Sequence, residues 1–373
     1  MNNYDILING LFAKAQMQGI PLSGAFELTS RCTLDCRMCY IHRHEHDREA
    51  INGEKDTAWW CDLANQAANA GTLPVLLTGG EPLIRRDFDK IYLACKNAGL
   101  LVSVNTNGTL INDEKIRFFK ENPPQKLNLT LYGTSKETYA DLCGNGEVFE
   151  TVIEAIRKLK EAKINVKLNY SVTPQNVCDA LNALDFAREL QIPIQPVTYM
   201  FPPVRTECGI ITERLTPYEA ANVHFDWQKK LLGNEFADYL KNKSNAPPLY
   251  ADTDECGERI NCRAGSTTFW VTWKGEMTPC GMMNEPSVPI EDFKEAWNKI
   301  REKRKEIFLP SECTGCEYRR DCDMCAAVAY AETGKFDGLP EYVCKKTHEY
   351  HRLCKVFLIQ GNNYPSNNLD FMK

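Results

Sequence analysis

Nowhere in this 373-residue chain does an apolar run approach the ~20 residues that a membrane-spanning helix needs. The N-terminal segment, residues 1–18, is short and mixed. Its apolar stretch at 6–13 is broken by Asn9 and lacks the charged flank and cleavage site of a secretory signal. Long basic runs are missing too. With a formal net charge of −6, the chain has no evident nucleic-acid surface. No membrane, no nucleic acid and a cytoplasmic location are therefore expected. Cysteine, by contrast, is abundant, with 17 residues. In a reducing compartment that number points to metal rather than to disulfides. The length suits a large catalytic domain followed by a smaller one.

Three of the cysteines, Cys32, Cys36 and Cys39, stand at C-x3-C-x2-C spacing just after a predicted strand at 24–29. A loop of that spacing can fold three thiolates onto one cubic iron–sulfur cluster. Four irons with three protein ligands leave one iron open to a small molecule. Taken alone, the spacing also suits a zinc site completed elsewhere, or free buried thiols.

Downstream, strand and helix patterns alternate. A solvated segment at 41–56 carries His42, His44 and His46, and Thr57 is placed to cap a helix over 57–70. Strands are predicted at 73–77, 101–105, 126–132, 164–172 and 194–199. Helices are predicted at 87–98, 112–121, 135–141, 148–163 and 177–190. Six strands joined by helices imply a parallel sheet with right-handed crossovers, two units short of a closed eight-fold barrel. Ligands of such sheets sit at the strand C-terminal ends. There the chain places Thr78-Gly79-Gly80-Glu81-Pro82, Asn105, Asn107, Thr130, Asn169 and Ser171. Asn169 and Ser171 lie on one side of their strand, because strand side chains alternate.

The cysteine loop followed one βα unit later by Gly-Gly-Glu-Pro resembles the radical S-adenosylmethionine (SAM) superfamily. The resemblance implies an α/β fold, an open, partial (β/α)6 barrel over residues 24–200. It implies that Cys32, Cys36 and Cys39 carry a 4Fe-4S cluster whose open iron chelates SAM. Thr78, Gly79, Gly80, Glu81 and Pro82 would then meet the SAM amino group. Asn105 and Asn107 would face its ribose or carboxylate, with Thr130, Asn169 and Ser171 beside them and Met38 near the adenine. Between residues 133 and 156 there is no Arg of the kind several relatives pair with the SAM carboxylate.

Cysteines return after a bridge at 201–254 that is expected to hold one helix, 216–232, and a loop at 242–248. Cys256, Cys262, Cys280, Cys313, Cys316, Cys322, Cys325 and Cys344 supply enough ligands for two further sites. Two structural zincs also suit such spacing. The pattern is similar to the SPASM domain, a small Cys-rich α+β module, placed here at 255–350 and followed by a tail at 351–373. The resemblance implies one auxiliary 4Fe-4S cluster on Cys256, Cys262, Cys280 and Cys325, and a second on Cys313, Cys316, Cys322 and Cys344. The gap between Cys322 and Cys325 is one residue shorter than is usual for the module. Cys61, Cys95, Cys143, Cys178, Cys208 and Cys354 remain, mostly as small core residues, with Cys208 a candidate hydrogen or proton donor.

The implied activity is that of a radical SAM/SPASM enzyme. Such an enzyme cleaves SAM reductively, abstracts a hydrogen from a peptide or protein, and matures it by oxidation or crosslinking. A flavodoxin or ferredoxin would supply electrons. Only about 23 residues precede the first strand, so a separate leader-peptide-binding protein is a candidate partner. Sulfatase-maturase-like chemistry is the first alternative, and a small-molecule SPASM enzyme the second. The sulfatase maturases place Asp after the G-x4-C cysteine, where this chain has Gly281. Glu276, Glu285 and Asp292 are the nearby carboxylates. Outside enzymology, an iron–sulfur electron carrier or a zinc-stabilised binding module would share the cysteines but has no need of Gly-Gly-Glu-Pro.

Overall fold

The computed structural model describes residues 3–41, 43–203, 213–244, 253–254, 257–260 and 262–361. Short apolar runs bounded by turn residues become the strands of one nine-stranded sheet. In chain order these are β1 (Ser23–Glu27), β2 (Pro74–Thr78), β3 (Leu101–Thr106), β4 (Lys126–Thr130) and β5 (Val166–Ser171). They are followed by β6 (Ile194–Val197), β7 (Thr268–Val271), β8 (Glu276–Thr278) and β9 (Val288–Pro289). The spatial order is β9-β8-β7-β1-β2-β3-β4-β5-β6. β1 to β6 pair in parallel and in chain order. Helices Thr57–Asn69, Phe88–Asn97, Asp113–Glu121, Val148–Glu161 and Ala180–Glu189 lie in the crossovers. This is the expected six-unit α/β arrangement. The sheet is open, with β6 and β9 as its edges.

Strand alternation sets the layers. On β3, Val102 and Val104 are buried while Ser103 and Asn105 are partly exposed, and β4 and β5 repeat the pattern. The apolar set packs with Phe88, Ile91, Phe119, Ile156 and Leu159 from the helices. Each such side chain contributes about 1.5–3 kcal/mol on full burial. That core occupies one side of the sheet and leaves the polar set for a site on the other.

The C-terminal region is less separate than its cysteine pattern suggests. β7 pairs in parallel with β1, Gly24 opposite Phe269, and β8 and β9 continue antiparallel. A Cβ on Gly24 would lie 2.1 Å from the Phe269 ring, so glycine is what lets the ring cross that strand. The region still keeps a second core of its own, including Ile260, Met283, Ile307, Leu309, Met324 and Val343. The expected tail boundary at 350/351 falls inside a helix, Glu341–Gln360. That helix packs on Pro217–Leu232 through Phe225, Tyr350, Leu353 and Phe357. Among the described residues six α-helices lie outside the sequence expectations: Asn3–Gln18, Arg48–Gly53, Phe236–Ser244, Phe293–Arg304, Ala326–Thr333 and Glu341–Gln360, with Phe236–Ser244 reaching into the loop expected at 242–248. Asp56 rather than Thr57 caps helix Thr57–Asn69. Its carboxylate accepts from the Trp59 N–H at 2.8 Å, and the Thr57 hydroxyl donates to Asp87 at 2.6 Å instead. No described helix is long and apolar enough to cross a membrane.

Candidate functional site

The cysteine loop is held at its start by buried charge and at its far end by backbone hydrogen bonds. The Arg31 guanidinium meets Glu54 at 2.7 Å, and Glu54 also meets Arg85 at 3.3 Å. Arg85 in turn pairs with Asp87 at 2.7 Å and donates to the carbonyls of Leu28 and Lys55 at 2.9 and 3.1 Å. Both Arg85 and Glu54 are almost fully buried, which makes this network a positioning device more than a source of stability. At the loop's far end the Asp35 and Arg37 N–H groups donate to the carbonyls of Cys143 and Leu142 at 3.1 and 3.0 Å.

The end of β2 lies directly on the start of this loop. The Gly80 N–H donates to the Thr29 carbonyl and the Glu81 N–H to the Arg31 carbonyl, both at 2.8 Å. A Cβ on Gly79 or Gly80 would sit 2.3 Å from the Thr29 or Arg31 carbonyl oxygen, so only glycine permits this approach. Glu81 is fully buried. Its carboxylate accepts from the Thr106 hydroxyl at 2.9 Å, the Asn107 N–H at 2.7 Å and the Leu83 N–H at 3.0 Å. Burial raises its pKa to about 7, against the pull of those donors.

Beside the loop, at the C-terminal ends of the parallel strands, is a cavity of about 340 Å³. Its wall gathers Cys32, Cys36, Cys39, Met38, Thr78, Gly79, Gly80, Asn105, Asn107, Thr130 and Ser171. Three of the sequence candidates stay out of it: Glu81 braces Thr106 and Asn107, Pro82 opens a short 3-10 turn, and Asn169 stands opposite Thr130 on β5 without reaching the wall. The amides of the two asparagines already have partners. Asn105 accepts from Asn128 at 2.9 Å. The Asn107 amide N–H groups donate to the Cys32 sulfur at 3.4 Å and the Thr33 hydroxyl at 3.0 Å. Asn107 therefore orients the cysteine loop as well as lining the cavity. Sequence reasoning missed Tyr132, Tyr199, Met200, Phe201 and Met282 on the same wall. Tyr132 lies just two residues beyond Thr130, and that proximity was the one available signal. Met282 arrives from the C-terminal hairpin, which no local pattern could place here.

The donor set fits an iron–sulfur cluster: three thiols, those of Cys32, Cys36 and Cys39, stand on one cavity wall. A tetrahedral zinc needs sulfurs about 2.3 Å from one point, whereas a cube attaches each thiolate to a different iron. Burial, with the nearby Glu81 charge, pushes the Cys32 thiol up; hydrogen bonding to Cys143, with burial, pushes up Cys36. Iron binding must therefore displace those protons.

Seven cysteines of the C-terminal region fall into two neighbourhoods. Cys325, raised mainly by burial, feels Cys280 and Cys262. Cys313, raised by burial to about 12, feels Cys344, Cys322 and Cys316. Cys256, expected with the first group, lies outside the described residues, as do His42 and Cys208. Cys178 is exposed rather than a core residue. The Met282 N–H donates to the Cys280 sulfur at 3.5 Å, so one residue touches both the cavity and the second cysteine region.

Comparison with known proteins adds to this geometry. Residues 26–187 match the family model of the radical SAM superfamily. The chain is 25% identical over 338 residues to an AdoMet-dependent heme synthase of Methanosarcina barkeri, covering 86% of this chain and 95% of that protein. Among solved structures, native anSMEcpe with bound AdoMet superposes with a TM-score of 0.68 at 21% identity, covering 92% and 99% of the two chains. Streptococcus suis SuiB bound to precursor peptide SuiA gives 0.66 at 20% identity, covering 92% and 81%. At those identities the structures show a shared fold.

Proposed function

We propose that the chain, whose residues 26–187 match the family model of the radical SAM superfamily, is a radical SAM enzyme that acts on a side chain of a peptide or protein. The observation that carries the proposal is the chemistry of the cavity wall. Among the described residues it contains no Asp, Glu, Lys, Arg or His, and beyond the cysteines it offers Tyr, Phe, Met, Leu, Ile and Val with a few neutral polar groups. A heme-class substrate carries ionised carboxylates, whose burial needs cationic partners. A neutral side chain needs none.

In this reading Cys32, Cys36 and Cys39 hold a 4Fe-4S cluster, and Gly79, Gly80 and Thr78 present the backbone against which SAM lies. Cluster and SAM, when bound, would supply the radical chemistry that removes a hydrogen atom from the substrate. The protein's part is to position and to exclude water: Tyr132, Tyr199, Phe201 and Met282 line the space in which the reacting side chain would be held. We assign the C-terminal region as a SPASM-type module. Its support is the sorting of Cys262, Cys280 and Cys325 apart from Cys313, Cys316, Cys322 and Cys344. Two auxiliary clusters there would take up the electron released as product forms, and Met282 lies between them and the cavity. A flavodoxin- or ferredoxin-like reductant and a separate leader-peptide-binding protein complete the proposed partners.

Formylglycine formation is disfavoured by one contact. The space beside Gly281 is filled by Trp270, whose ring lies 2.7 Å from where a Cβ would stand and whose indole N–H donates to Glu27 at 2.9 Å. An aspartate at 281 has no room. Among the alternatives, Asp292 caps helix Phe293–Arg304, and neither Glu276 nor Glu285 lines the cavity.

The test is anaerobic reconstitution followed by reduction. The wild-type chain should hold about twelve irons, as three cubes require, and form 5'-deoxyadenosine from SAM. It should also move deuterium from a labelled peptide into that product. Replacing Cys32, Cys36 and Cys39 with alanine should remove about four irons and all SAM cleavage. Deuterium transfer from a tetrapyrrole, but from no peptide, would replace this reading with the heme-type one.

A further inference from the structure

The face of the sheet that lines the cavity stays polar well below it. In a parallel barrel that face is ordinarily filled by layers of branched apolar side chains. Here strand alternation turns Ser103 and Asn105 of β3, Lys126 and Asn128 of β4, and Lys167 and Asn169 of β5 to the same side as the cavity residues Thr130 and Ser171. All of them are exposed or half-buried. The register holds them in one band, with Asn105 opposite Asn128, Asn128 opposite Lys167, and Thr130 opposite Asn169. The Asn128 amide donates to Asn105 at 2.9 Å across the middle of the band. Lys126 and Lys167 stand at its lower end, on neighbouring strands and two residues out of register. That offset puts their backbones about 8 Å apart. The Lys167 ammonium donates to the side-chain carbonyl of Gln195, a neutral partner. Burial, with the Lys126 charge beside it, holds the Lys167 pKa below the usual lysine value.

Among the described residues neither lysine has a carboxylate partner. The one carboxylate on β1 to β6 is Glu27. It lies on β1, with β2 and β3 in between, and accepts from the Trp270 indole at 2.9 Å. Two like charges held together repel, and an anion placed between them relieves that repulsion. Resting on the reading of the chain as a peptide-modifying enzyme, we propose that Lys126 and Lys167 form a subsite for a carboxylate of the substrate, supplied by an acidic residue of a peptide lying along the polar band. Strand geometry sets where that acid falls. Thr130 is four positions after Lys126, and Ser171 four after Lys167. Each interval is about 13 Å of strand, which an extended peptide covers in about four residues. The acidic residue therefore belongs about four positions from the side chain held in the cavity. A tetrapyrrole's carboxylates share this chemistry, and the test separates the two sources.

The experiment is equilibrium binding, by fluorescence anisotropy, to the reconstituted protein with SAM present. The probes are a labelled short peptide carrying a Glu-Glu pair and its Gln-Gln counterpart. The acidic peptide should bind about tenfold tighter than the amide one. Lys126→Met and Lys167→Met should each reduce that preference about threefold, and the double variant should abolish it. Lys126→Arg and Lys167→Arg should keep it, because a guanidinium also pairs with a carboxylate. Lys294→Met removes an exposed lysine from helix Phe293–Arg304 and should change nothing. Equal binding of the two peptides, no measurable binding, or an acid preference that survives in the double variant overturns the inference. So does lysine-dependent binding of a tetracarboxylate porphyrin with none of the peptide. Formation of 5'-deoxyadenosine from SAM, read on the same samples, keeps the two failures apart. SAM cleavage without the acid preference sinks the subsite alone; the acid preference without SAM cleavage supports the subsite and sinks the functional reading.

Discussion

Replacing Gly80 with alanine tests how the cavity is built. Its backbone is outside the left-handed region, so alanine brings no conformational strain of its own and the substitution isolates one contact. The added Cβ would stand 2.3 Å from the Arg31 carbonyl oxygen and 2.7 Å from that of Ser30. Both atoms are backbone, and no side chain can swing aside. Relief requires β2 and the cysteine loop to separate. Separation lengthens the two 2.8 Å bonds from Gly80 to Thr29 and from Glu81 to Arg31. Overpacking costs about 1–3 kcal/mol, and each weakened hydrogen bond adds about 1 kcal/mol. The expected loss is therefore about 3–5 kcal/mol. Urea unfolding of the metal-free protein measures it, and SAM binding to the reconstituted protein should weaken at the same time. Gly10→Ala is the counter-experiment. It lies in helix Asn3–Gln18 with nothing within 4 Å of the new Cβ, and should stabilise by about 0.5–1 kcal/mol. If Gly80→Ala unfolds at the wild-type urea midpoint and binds SAM normally, the close approach of strand and loop is not what shapes this cavity.

Asp226 is buried with one carboxylate oxygen lacking a partner, and burial raises its pKa to about 6. A raised folded-state value means its contribution is fully present below the unfolded value near 3.8 and lost as pH climbs through about 6. Asp226→Asn should therefore raise the melting temperature at pH 8, by up to ~3 kcal/mol of stability, and leave it unchanged at pH 4; equal gains at both pH values would refute the burial argument. Arg85→Met leaves two backbone carbonyls without this donor and takes one partner each from Glu54 and Asp87, and should cost about 3–5 kcal/mol in thermal or urea unfolding. Arg85→Lys should recover part of that loss, because a single ammonium cannot span the same fork of partners. Gly281→Asp should lower stability through Trp270 without creating formylglycine formation on a cysteine-containing peptide; mass spectrometry of the peptide would expose the opposite result.

Much of the barrel was legible from local pattern. Val75, Leu77, Val102, Val104, Leu127 and Leu129 recur at strand spacing between helical stretches, and a parallel sheet buries one such set per strand. The cysteine loop and the glycine pair could be read as well, because metal ligation and close backbone approach each admit few residue types. Glu81, Thr57 and the tail were read less well. The carboxylate was expected at a ligand, yet it lies under the cavity wall, because Thr106 and Asn107 reach it from the neighbouring strand. Helix Glu341–Gln360 crosses the expected boundary because its apolar face is completed by Pro217–Leu232, more than a hundred residues earlier.

By itself, then, the sequence determined the parallel strands with their connecting helices, the cysteine loop and the glycine turn, all features in which neighbouring residues constrain one another. Only the tertiary structure decided that the C-terminal hairpin joins the sheet beside β1, that Met282 reaches the cavity, and that the helix end at Leu142 and Cys143 docks on the cysteine loop. Those contacts join segments far apart along the chain, and they are selected by how buried surfaces fit together, which no window of neighbouring residues records.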